Sequence, residues 1–297
     1  MQLIAWVSMV YLGLTFGLSF SIVKIILTEI ESPIVILFWQ SCFSSFLLFA
    51  SSVFSLNSLK DIFINFGALI WLACFGVIIP NFILYLSATH LSAGTISILL
   101  ALIPFCAYIM ALILRIERID FLRLFGVILG FIAILFLAFP GNANDKVHLN
   151  NWIIIGLLVP ILIGATNIFL ASKRFKKVKP AHIAFGINSI STILLSLMLP
   201  SNANIWFFLN SPKFFFFIFL LSFIGSIGFI IFIKLVKNHG PVFASQVNYL
   251  VTIFGVMWGY IIFLEVHSMR FWVSLLLIIF GLFLVRPIKR NFHTSTN

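Results

Sequence analysis

At 297 residues, with 62% of them hydrophobic, only 8% charged and a mean hydropathy of +1.22, the chain lies far outside the composition of soluble globular domains. A net charge of +11 and a pI near 9.9 would suggest nucleic acid as the partner of a soluble protein. Here the basic residues sit in short connections between apolar runs, where they act on topology instead, so a nucleic-acid partner and a separate soluble domain are both excluded.

Ten apolar stretches follow one another from Leu3 almost to the C-terminus, at about 4–27, 33–54, 64–88, 93–114, 121–139, 151–172, 181–199, 213–235, 242–264 and 269–286. Each is close to the roughly 20 residues that a helix needs to cross a hydrocarbon core of ~30 Å. Backbone polar groups in lipid must be satisfied within the segment, and the unbroken runs lack the alternation of a barrel strand, so all ten are expected to be helices. The first has no Lys or Arg before it and no small-residue cleavage site after it, and reads as a retained span. Turn chemistry marks the breaks, at Glu31-Ser32-Pro33, Pro140-Gly141-Asn142, Lys179-Pro180, Pro200-Ser201-Asn202 and Gly240-Pro241. Cys42, Cys74 and Cys106 all fall inside apolar stretches, without disulfide or metal spacing.

Lys and Arg alternate in density from one connection to the next. With the N-terminus in the cytoplasm, that side carries Lys60, the cluster Arg115, Arg118 and Arg123, the five cations from Lys173 to Lys179, Lys234 and Lys237, and the tail residues Arg286, Lys289 and Arg290. The other side keeps only Lys24, Lys146, Lys213 and Arg270. This bias places both termini in the cytoplasm and favours an even number of spans. The run Lys173-Arg174-Phe175-Lys176-Lys177 reads first as a topological anchor, with anionic lipid headgroups as the functional alternative.

The two halves of the chain resemble each other. Glu117 and Glu265 stand 148 residues apart, Gly17 and Gly164 stand 147 apart, as do Pro33 and Pro180, and each glutamate precedes an apolar run ending in proline, at Pro140 and Pro287. Residues 1–145 and 146–297 therefore read as two five-helix repeats, the second ending in a short basic tail. An odd number of spans per repeat inverts the second copy in the membrane. Inverted repeats are an architecture of alternating-access carriers, with the solute site near the midplane between the halves. The fold class is thus an all-α polytopic membrane protein, ten transmembrane helices as two inverted five-helix repeats.

Several segments carry a family likeness: Gly17-Leu18-Ser19-Phe20-Ser21-Ile22-Val23-Lys24; Tyr85-Leu86-Ser87-Ala88-Thr89 through Ala93-Gly94 to Pro104; Glu117 followed by Arg123 and Gly126; and Gly240-Pro241-Val242-Phe243-Ala244-Ser245 through Tyr249 to Glu265. In their order and spacing the chain resembles an EamA-type, ten-helix member of the drug/metabolite transporter superfamily. The resemblance implies a carrier of small metabolites in the plasma (bacterial inner) membrane, commonly an exporter of amino acids or related compounds, with a cavity between the two halves. The chain departs from that pattern twice. Trp39-Gln40 stands where family members often have an arginine, and Phe16 stands where four-helix relatives carry a glutamate, so coupling through that carboxylate is not expected.

Charges inside the membrane are costly and usually functional, and this chain has almost none there. Neutral polar and aromatic groups are left to bind a solute. The candidates are Asn81 and Tyr85 in the third span, Tyr108 in the fourth, Asn167 in the sixth, and Gln246, Asn248, Tyr249 and Trp258 in the ninth. Asn248, Tyr249, Asn81, Tyr85 and Asn167 stand out as bulky polar groups at mid-membrane depth. Hydrogen bonding between helices would account for such residues equally well. Lys24, Glu117 and Glu265 are possible gate residues, with snorkelling helix-end charges or loop ion pairs as the plainer account. Three Gly-x-x-x-Gly pairs, Gly13/Gly17, Gly126/Gly130 and Gly255/Gly259, suit close helix packing.

No nucleophile–base pair, metal cluster or phosphate-binding loop is present. The expectation is a non-enzymatic secondary transporter with no cofactor and no metal. Its partners would be a small, neutral or zwitterionic solute and membrane lipid, and the sequence leaves monomer and homodimer both open. A lipid or lipid-linked-sugar translocator, or a membrane subunit that transports nothing, is the alternative.

Overall fold

The computed structural model describes residues 2–28, 32–52, 57–91, 93–116, 119–138, 151–200, 211–264 and 269–284. Among them every regular element is helical. The α-helices are α1 (Gln2–Leu27), α2 (Pro33–Ser52), α3 (Asn57–Ile64), α4 (Phe66–Leu72), α5 (Ile79–Ala88), α6 (Ala93–Leu100), α7 (Ile103–Ile113), α8 (Phe121–Ala138), α9 (Asn151–Gly156), α10 (Leu158–Leu170), α11 (Pro180–Met198), α12 (Pro212–His239), α13 (Pro241–Ser245), α14 (Val247–Phe263) and α15 (Met269–Leu284). A π-helical segment, Ala73–Ile78, joins α4 to α5, and a 3-10 turn, Lys173–Phe175, follows α10.

Seven helical stretches are long and apolar enough to cross a membrane: Leu3–Leu27, Pro33–Ala50, Phe66–Ala88, Asn151–Leu170, Pro180–Met198, Pro212–His239 and Pro241–Phe263. The other three apolar ranges are helical too. In the fourth, α6 and α7 are parted by a turn at Ala101 and Leu102, while α8 and α15 run 18 and 16 residues.

Proline explains most of the irregularities. Its ring excludes the carbonyl four residues back, and it has no N–H to bond there. Pro80 frees Gly76 within the π segment, Pro104 frees Leu100 beside the turn at 101–102, and Pro160 frees Gly156 beside the break at Leu157. Proline also opens α2, α11, α12 and α13, where the missing N–H costs nothing. Gly240, with φ of 89°, turns the chain sharply from α12 into α13. Among the described residues only Arg115 and Leu264 combine a side chain with positive φ (56° and 53°). They sit 149 residues apart at the ends of α7 and α14, another echo of the repeat.

The packing follows the repeat as well. α1 lies along α14, and their counterparts α10 and α7 lie along each other; α2 packs on its own counterpart α11, and α8 on α15. A shift of 147 or 148 residues therefore exchanges the first two pairs and maps each of the others onto itself, as a two-fold relation requires. Close approaches of backbone recur at equivalent points. A Cβ on Gly17 would lie 2.8 Å from the Gly255 nitrogen, and one on Gly164 would lie 3.0 Å from the Ala107 nitrogen. Both crossings bring backbone against backbone, which only small residues allow. Residues of both halves share one apolar core. Polar ties cross it: Thr252 Oγ1 donates to Ser97 O at 2.6 Å, and Ser222 Oγ approaches Gln40 O at 3.2 Å.

Because the obstructing atoms at both crossings are backbone, the neighbour cannot rotate away. Gly17→Val and Gly164→Val are each expected to lower stability by roughly 1–3 kcal/mol, the usual cost of overpacking. Gly67→Ala meets nothing within 4 Å and should leave stability unchanged or raise it by up to ~1 kcal/mol. Thermal unfolding of the three purified variants in one detergent checks the contrast.

Candidate functional site

A cavity of about 230 Å³ occupies the middle of the bundle. Both halves build its wall. Phe16, Ser19, Phe20 and Val23 come from α1, Gln40 and Ser44 from α2, and Asn81, Leu84 and Tyr85 from α5. The π segment supplies Gly76 and Val77. From the second half come Thr166 and Asn167 of α10, Asn188 of α11, Phe229 and Phe232 of α12, and Val247 and Asn248 of α14. Two of the helix irregularities thus fall on the cavity: the π segment carries part of the wall, and Val247 and Asn248 follow the break at Gln246. Among the described residues no Asp, Glu, Lys, Arg or His lines it.

The amides are held by their own helices. Asn81 Nδ2 donates to Val77 O at 2.8 Å, Asn188 Nδ2 to Ala184 O at 2.9 Å and Asn248 Nδ2 to Ser245 O at 2.9 Å. Only the NH₂ end of an amide can donate to a carbonyl, so these bonds also fix which end is oxygen. Tyr85 Oη donates to Gln40 Oε1 at 2.5 Å, linking α5 to α2. Asn167 differs from the other amides. It is 2% exposed, and among the described residues its Nδ2 meets no acceptor.

Of the residues singled out from sequence, Asn81, Tyr85, Asn167 and Asn248 stand together on this wall. Tyr108 is fully buried elsewhere, its hydroxyl bonded at 3.0 Å by the Asp120 amide, so that it clasps the turn before α8. Tyr249 is buried against Ala101, Leu102, Ala133 and Val256. Gln246 is buried at the break between α13 and α14. Trp258 Nε1 donates to Leu14 O at 3.2 Å and pins α14 to α1. Lys24 holds its ammonium 4.7 Å over the Phe263 ring. Glu117 and Glu265 lie outside the described residues. The wall also contains Gln40 and Asn188, which no local pattern marks. The register that pairs Pro33 with Pro180 sets Gln40 against Ile187, which also lines the wall, so the repeat points to this stretch of α11 without singling out Asn188.

A second, larger cavity of about 980 Å³ lies toward the end of α10. Its wall is apolar, with Met110, Ile113, Leu114, Ile168 and Phe169, and its polar groups are Ser172, Lys173, Lys176 and Lys237. Ile113 and Leu114 are exposed.

A buried donor without an acceptor costs about 1–3 kcal/mol, whereas removing a bonded group forfeits ~0.5–1.5 kcal/mol. Asn167→Leu is therefore expected to leave the solute-free protein as stable or more stable, and Tyr85→Phe to destabilise it by stranding the Gln40 oxygen. Melting temperatures of the two variants without added solute decide this.

Three comparisons with known proteins bear on the site. The family model described as the EamA-like transporter family matches residues 3–139 and again 151–286. A search of curated proteins gives no match. A solved structure described only as "Crystal structure of protein" superposes with a TM-score of 0.64 at 13% identity, over 93% of this chain and 96% of that one. At that identity the likeness is one of fold alone.

Proposed function

The chain belongs to the EamA-like transporter family, and on that premise we propose that it is a secondary carrier that moves a small neutral or zwitterionic metabolite by alternating access. The family makes it a multi-pass membrane protein and a transporter of small solutes. What carries the finer reading is the central cavity, where equivalent positions of the two matched stretches meet around an uncharged, partly polar wall. The ten helical ranges are ten crossings in this reading, divided at about residue 145 into two repeats of opposite orientation. The distribution of Lys and Arg supports termini that both face the cytoplasm, and the family supports a plasma (bacterial inner) membrane as the location. Metabolites of about the size of an amino acid are the solutes in this reading, and export is the direction.

Rocking of one half against the other about the two glycine crossings would open the cavity to each side in turn. The π segment and the breaks near the cavity give the wall places to bend. Glu117, Glu265 and Lys24, at the edges of the spans, serve as gate groups in this scheme.

One observation favours a different reading. The 980 Å³ cavity has the apolar wall and basic rim that a lipid translocator would need. Its polar groups are gathered at one end, however, which gives a headgroup no polar path across the membrane. The central cavity remains the better solute site.

Alternating access is tested by a single cysteine at Ser44 on the cavity wall, with Cys42, Cys74 and Cys106 replaced by alanine. In sealed vesicles a membrane-impermeant thiol reagent should label Ser44→Cys from either side, with labelling from one side falling as a bound solute shifts the equilibrium. Labelling from one side only, under every condition, would refute the mechanism.

A further inference from the structure

The repeat makes the cavity symmetric in position but not in chemistry. Phe20 of α1 corresponds to Asn167 of α10, 147 residues on. Asn81 corresponds to Phe229, and Leu100 to Asn248, each 148 residues on; all six line the cavity. At each of these positions one half gives a carboxamide and the other a ring or an aliphatic chain. Phe16 and Phe232 add two more rings. The wall therefore has apolar faces set against a hydrogen-bonding edge.

That edge has a definite polarity. Asn81, Asn188 and Asn248 have their NH₂ groups tied to backbone carbonyls. Among the described residues no protein donor meets their Oδ1 atoms, which leaves carbonyl acceptors for a ligand. Asn167 Nδ2 is the reverse, a buried donor lacking an acceptor. A partner for both needs N–H groups and a carbonyl close together. No lining group could neutralise a full charge, and burying one unpaired is unfavourable.

On the reading that this cavity is the carrier's solute site, we infer that its solute is an uncharged, planar ring compound with an amide-type N–H/C=O edge, such as a lactam or a cyclic ureide. Its one or two N–H groups bond oxygens among those of Asn81, Asn188 and Asn248, the carbonyl accepts from Asn167 Nδ2 once that buried side chain turns into the cavity, and the ring lies against the phenylalanine faces. The volume of about 230 Å³ falls below the ~300–1,000 Å³ of pockets for drug-sized ligands. One or two fused rings fit; a nucleotide or a lipid-linked sugar does not. The inference excludes free amino acids, whose ammonium and carboxylate would both lack a counter-charge.

The test uses the full chain in detergent and follows melting temperature against five probes up to ~10 mM. Uracil carries the inferred edge, and 1,3-dimethyluracil has lost both N–H groups. Orotate adds a carboxylate to uracil, phenethylammonium is an aromatic cation, and phenylalanine is a zwitterion. Uracil should raise the melting temperature in a saturable way, with half-saturation at least tenfold weaker for 1,3-dimethyluracil and no shift from the three charged probes. The uracil shift should vanish in Asn167→Leu, which is not destabilised, and weaken in Phe20→Leu. A larger shift from any charged probe than from uracil, equal shifts from uracil and its dimethyl derivative, or no shift from uracil would each overturn the inference. If a charged probe binds and Asn167→Leu abolishes it, the solute class is wrong while the site stands. If binding of every active probe survives Asn167→Leu and Asn81→Leu, the site itself is wrong.

Discussion

The central helices are set by two equivalent crossings where backbone meets backbone. At Gly17 against Gly255 and at Gly164 against Ala107, no side chain separates the crossing helices. Lipid tails are as apolar as leucine, so burial of apolar surface does little to join helices inside a bilayer; close packing has to do it. Small residues at these points bring α1 to α14 and α10 to α7, and three of those helices, α1, α10 and α14, carry Ser19, Phe20, Thr166, Asn167 and Asn248 to the cavity. Lengthening either contact by one methyl would displace the helices that carry much of the wall. In the proposed mechanism the same compact crossings serve as pivots for one half moving on the other.

Polar groups in the bundle divide into those that hold it together and those that are left with spare bonding capacity. Thr252 and Trp258 spend their donors on carbonyls of neighbouring helices. Asn81, Asn188 and Asn248 spend only one end of each amide, on their own helices. Asn167 spends neither hydrogen of its Nδ2. Buried polar groups are nearly always satisfied in folded proteins, and of the unpartnered buried groups among the described residues Asn167 is the one on the central cavity, where a ligand could complete it. Among the described residues the wall carries no charge, which supports the neutral solute proposed above.

Most of the fold was legible in the sequence, because membrane crossing imposes length, apolarity and helical structure at once. The site was only partly legible. Asn248 and Tyr249 are neighbours, but successive residues on a helix point about 100° apart, and only Asn248 reaches the cavity while Tyr249 packs into the core. In a soluble helix the apolar face would show which way is inward. Here the lipid-facing side is as apolar as the core, so spacing such as that of Gln246 and Tyr249 places residues on one face without saying what the face meets. Gln40 and Asn188 escaped local reasoning for the same reason. The π segment before Pro80 and the turn before Pro104 follow from proline chemistry, whereas the break at Gln246 has no such signal.

The central claim is that the two halves rock about the glycine crossings around a shared cavity. Double electron–electron resonance in nanodiscs tests it most directly, with one spin-label pair at Lys60 and Lys176 and another at Thr89 and Lys213, which reports the opposite end of the bundle. The account predicts two distance populations at each end, with the long distance at one end favoured under the conditions that favour the short distance at the other. A single, unchanging distance at both ends would contradict it.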